Sequence, residues 1–199
     1  MTVLTLGLAL ASRAGAQTLP LPPLPVPPSQ AAFRAVLVKY DHRADVETGV
    51  AQLRALAAER AAELANALGE GQRFNSWRLI LSGTEPTPTG GLFLRFLDSA
   101  LDAPRMVRPT YWNSGPGTIL RTAEITAKSP LYGEIAQMKR GTMVFVSGHF
   151  FPGDNGGPFY ESARISAQAL AGERARFRAP YFSIKVEEIG ELFSDRRFP

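Results

Sequence analysis

Hydrophobic and polar positions change their rhythm several times along this chain. The first eleven residues are mostly apolar, and residues 18–30 hold six prolines in thirteen positions. A short apolar run, Phe33–Tyr40, reads as a strand. From Asp45 to about Leu68, apolar residues recur at steps of three and four: Val46, Val50, Leu53, Leu56, Ala57, Leu64 and Leu68. That spacing predicts a helix with one buried stripe, capped by Asp45 and stopped at Gly69 and Gly71. Glu59, Arg60 and Glu63 fall on its opposite side.

Beyond Phe74 the period becomes two. Trp77, Leu79 and Leu81 alternate with Arg78 and Ile80, and Leu92, Leu94 and Phe96 alternate with Phe93, Arg95 and Leu97. A third strand is expected over Thr118–Ala127, then a short helix from Pro130 with Leu131, Ile135 and Met138 on one face. Met143–Phe151 is apolar on both faces and reads as the most buried strand, with Phe145 in the core. Strands at Tyr160–Ser166 and Tyr181–Ile189 follow. A helix between the third and fourth strands is the order of a small Greek-key, OB-like β-barrel, and Gly148 would let a long strand curl around it. The predicted class is mainly β with a helical N-terminal element (α+β). The organisation is a signal peptide at 1–16, a Pro-rich linker at 17–30, a strand and helix appendage packed on the barrel at 31–70, and the barrel at 71–199.

Three stretches carry a family likeness: Ser129–Phe151, Glu161–Ser166 and Ala179–Ile189. Together they resemble bacterial exported proteins, of open role, with an OB-like domain of the anticodon-binding-like and single-strand-binding-like kind. Met138 stands where those families usually have leucine, and Thr142 where an acidic residue is common. The likeness spans roughly residues 74–189, and its motifs are turns and core positions. It implies a fold and leaves the function open.

Composition narrows the chemistry. The 199 residues contain no cysteine, which excludes disulfides, thiolate metal sites and cysteine nucleophiles. His42 and His149 are the only histidines. The net charge is +4 from 22 basic and 18 acidic residues, and 18 of the 22 are arginine. Residues 71–199 hold 16 basic and 12 acidic side chains, against 5 and 6 in residues 31–70. Nucleic acid is permitted by this balance but not favoured. The N-terminal apolar run is too short to span a bilayer, so no stable membrane span is expected. It suits a secretory signal with Ala14 and Ala16 before a cut at Gln17, which places the protein in the periplasm or outside a bacterial cell. The proline run reads as a semi-rigid spacer in polyproline II, with docking to a partner's aromatic groove as the other reading.

No cofactor, metal or catalytic set is expected. His149 lacks converging partners, although Glu161 falls on a neighbouring predicted strand, and Asp98 and Asp102 read as solvated loop charges. The long connection Asp98–Gly117 carries Arg105, Arg108, Tyr111 and Trp112, a mixture that suits either single-stranded nucleic acid or an aromatic cap on the barrel. Arg174, Arg176 and Arg178 alternate with Ala175 and Phe177, so an extended chain would set all three on one side. The expected function is a non-enzymatic binding or assembly module of the cell envelope, with a protein or envelope partner. A single-stranded nucleic-acid-binding protein is the first alternative, and a small hydrolase the second.

Overall fold

The computed structural model describes residues 25–99, 107–115, 122–153, 156–162 and 169–192. Helix α1 (Pro28–Val46) opens with proline in its first turn, where the missing N–H has no helical partner to lose. Its buried positions Gln30, Phe33, Leu37, Tyr40 and Ala44 lie three or four residues apart. Residues 33–40, expected as a strand, therefore belong to this helix. Their apolar run is one helical face read without the matching positions on either side of it. The helix is interrupted at 47–49, which leaves Val46 77% exposed rather than on a buried stripe. Helix α2 (Val50–Leu68) then runs back along α1, with Lys39 paired to Glu63 and Arg43 to Glu59. It ends at Gly69, whose φ of 78° suits glycine and whose N–H donates to the Ala65 carbonyl.

Strand β1 (Arg73–Pro86) is long and bent, so it serves two neighbours. Its first part pairs antiparallel with β4 (Met143–Phe150) and its second part with β2 (Leu92–Asp98). Strand β3 (Thr110–Trp112) pairs antiparallel with β2 and parallel with β6 (Tyr181–Glu191). Because β6 also pairs with β4, the order β1–β2–β3–β6–β4 closes on itself. Helix α3 (Pro130–Ile135), capped by the Ser129 side chain, lies between β3 and β4 in the chain, the third and fourth barrel strands in sequence order. This is the OB-like barrel. Strand β5 (Glu161–Ser162) adds to the start of β6, and helix α4 (Ala169–Arg178) packs on α1 and α2.

Phe33 carries α1 into the barrel. It is fully buried, with ring centroids 5.1 Å from Trp77, 5.2 Å from Phe150 and 5.5 Å from Phe182. The fully buried Gln30 amide donates to the Arg78 carbonyl and accepts from the Arg78 N–H, as a neighbouring strand would. Helix α1 is thus a plug, and barrel and helices share one hydrophobic core. On β4 the register shifts between Ser147 and Gly148, and a Cβ at Gly148 would collide with the Lys185 carbonyl on β6. The expected curl occurs there because only glycine permits that approach.

Several expected elements are displaced. The third strand among the described residues is Thr110–Trp112, inside the stretch expected as loop; of the expected Thr118–Ala127, residues 118–121 lie outside the described residues, and Ile125 makes an isolated bridge to Leu92. Within Tyr160–Ser166, only Glu161–Ser162 is strand among the described residues. Phe145 is 38% exposed: β4 is apolar on both faces, and Val144 and Val146 take the inward positions. The arginines at 174, 176 and 178 lie on a helix, since Ala169–Arg178 is rich in Ala, Leu, Glu and Arg and lacks β-branched residues. No helix among the described residues is long and apolar enough to cross a membrane.

Candidate functional site

Helix α2 lines one side of an open cleft with Ala57, Ala58 and Ala61. The facing wall is Gly153 with residues 157–161, and Arg176 of α4 closes a third side. The Gly153 N–H donates to the Gly157 carbonyl at 2.8 Å, and a Cβ at Gly153 would strike the Phe159 carbonyl. The volume is about 580 Å³, within the range of roughly 300–1,000 Å³ typical of small-molecule sites.

A charged network forms one side of this cleft. Arg60 is fully buried, donates to Glu161 Oε2 at 2.5 Å and to the Arg176 carbonyl at 2.9 Å, and lies over the Phe177 ring at 4.6 Å. Burying a guanidinium is tolerable only with such partners. Arg176 stands 3.8 Å from Glu161 and bonds Glu173 at 3.2 Å, while Arg54 reaches the other Glu173 oxygen at 2.9 Å. Burial alone would raise the Glu173 pKa, but these two arginines outweigh it and hold the carboxyl below its ordinary value. The second Glu161 oxygen, Oε1, is buried with no hydrogen-bond partner, although its side chain is only 9% exposed. A carboxylate only accepts, so this lone pair waits for a donor.

The cleft's polar lining among the described residues is Arg54, Tyr160, Glu161 and Arg176. No group of three or more His, Cys, Asp or Glu among the described residues could hold a metal ion.

The residues expected from sequence scatter. Arg105, Asp102, Ala16 and Gln17 lie outside the described residues. Tyr111 is 1% exposed and stacks on Phe182 with centroids 6.1 Å apart, so it belongs to the core and cannot form a ligand surface. Trp112 is half-buried on the outer face of β3, with the Arg95 guanidinium 5.5 Å from its ring. Arg108 is exposed, and its N–H donates to the Arg178 carbonyl at 2.8 Å. The three helical arginines also have partners within the chain. Arg174 bonds the Glu47 carbonyl, Arg176 joins the cleft network, and Arg178 pairs with Asp45 at 2.8 Å and Asp41 at 3.9 Å. They clamp α4 onto the helical hairpin, and only Arg176 reaches the cleft. His149 pairs with Glu187 at 3.1 Å rather than with Glu161, and Asp98 is bound by Arg34.

Sequence reading missed Arg54, Arg60 and Glu161. The signal for Arg60 was present: it falls three residues after Ala57 and four before Leu64, inside the buried stripe. The chain matches no protein-family model and no curated protein sequence.

Proposed function

We propose that this is an exported, non-enzymatic binding module of the bacterial envelope, in which the OB-like barrel is scaffold and the α2–α4 cleft is the ligand seat. The observation that carries this reading is the unpartnered, buried Glu161 oxygen beside an open cleft. A polar group buried without a partner costs about 1–3 kcal/mol, and a ligand that donates to it recovers that loss. Export rests on the apolar N-terminus and the Ala14-x-Ala16 pattern before Gln17.

The test uses protein recovered from the periplasm. Its intact mass should begin at Gln17, and a metabolite screen by thermal shift should yield hits that vanish in Ala58→Trp. That substitution fills the cleft from an exposed helix position. Unprocessed protein confined to the cytosol ends the export reading, and hits indifferent to the Trp variant end the cleft reading.

A second reading has its own support. On the outer face of β2 and β3, Trp112 and Arg95 form a cation–π pair beside Leu97, which is 39% exposed. A ring and a guanidinium there suit a stacked base and a phosphate. Anisotropy titrations with labelled single-stranded DNA at two salt concentrations separate the readings. Binding that weakens with salt and is lost in Trp112→Ala would favour the outer face.

A further inference from the structure

We infer that the cleft selects a small zwitterion bearing both a free ammonium and a free carboxylate, an α-amino acid or a short peptide. This rests on the cleft being a binding site. The charge pattern discriminates among ligand classes. Arg54, Arg60 and Arg176 face Glu161 and Glu173, leaving the cluster one positive charge in excess. A simple amine would satisfy Glu161 Oε1 but add to that excess. A simple carboxylate would neutralise the excess but leave Oε1 without its donor. A molecule carrying both groups answers both needs.

The geometry assigns the two ends. Glu161 lies deep, its side chain 9% exposed, so its free oxygen takes the ammonium. Arg54 sits at the mouth with a side chain 66% exposed and gives Nε to Glu173, which holds the guanidinium in place for a carboxylate. Ala57 and Ala61 with Phe159 supply an apolar wall between these ends, suited to a small aliphatic side chain.

Calorimetric titration with the dipeptide Ala-Ala tests the assignment, set beside N-acetyl-Ala-Ala and Ala-Ala amide. The free dipeptide should bind, and each cap should weaken binding roughly tenfold or more, as loss of a charge-assisted hydrogen bond does. Arg54→Ala, at an exposed helix position that leaves the core intact, should weaken Ala-Ala but leave the amide unchanged. Ala58→Trp should abolish binding at an unchanged melting temperature. Capped and free dipeptides binding alike, or no dipeptide binding at all, would overturn the zwitterion assignment. If other metabolites then bind in an Ala58→Trp-sensitive manner, the cleft remains a binding site with a different ligand. If none does, the cleft reading falls too.

Discussion

Tyr111 carries a phenolic oxygen into the barrel core, where it finds no hydrogen-bond partner. Burial also pushes its pKa well above the ordinary value of 10.0. Two consequences follow from one hydroxyl. Tyr111→Phe removes an unsatisfied polar group while keeping the ring, and should raise stability by about 1 kcal/mol in urea melts. The folded protein also retains a proton that the unfolded chain loses above about pH 10. This contribution is therefore full below that pH and is lost as pH rises through the folded pKa. The wild type should lose stability in alkali more steeply than Tyr111→Phe, and equal alkaline slopes would show the hydroxyl to be solvated. The position was legible as aromatic, but its depth was not. An aromatic amid arginines and prolines reads as loop until a three-residue strand turns it inward.

At the scale of elements, Arg60 and Glu161 join α2 to β5, and Arg176 brings in α4. A buried pair is expensive to break and much less expensive to replace. Arg60→Met alone should cost about 3–5 kcal/mol, because Glu161 would keep a buried charge with its principal partner gone. Arg60→Met combined with Glu161→Leu should recover most of that loss while removing the ammonium site. Denaturant melts of the single and double variants check this, and equal stabilities would mean that the pair is not coupled. Helix α2 itself was readable from its three- and four-residue steps. Arg60 was misplaced because charge outweighed position: a guanidinium inside an apolar stripe goes to solvent unless a distant carboxylate meets it. Glu161 lies 101 residues away. Helix α4 is illegible for a related reason, since alternating arginines fit a strand and a helix equally until Asp41 and Asp45 of α1 and the Glu47 carbonyl just after it offer partners.

For the whole molecule, the barrel needs the helix that precedes it. Phe33 packs among its central rings, and Gln30 satisfies the backbone of Arg78. A chain starting at Arg73 would open a cavity the size of a phenylalanine side chain and leave that backbone unpaired. It should show no cooperative thermal transition; a sharp transition with native strand content would show the plug to be dispensable. What the sequence determined by itself was local and periodic. The alternation in β1, β2, β4 and β6, the short helix ahead of the fourth barrel strand and the glycine at the bulge were enough to imply an OB-like barrel. Those features follow from which faces must be buried, and burial leaves a period. Tertiary structure alone decided the rest: which apolar face of β4 turns inward, that residues 33–40 are a helix entering the barrel, and that α2, α4, Gly153 and residues 157–161 line one cleft. Each of these depends on contacts between residues far apart in the chain, and such contacts leave no spacing to read.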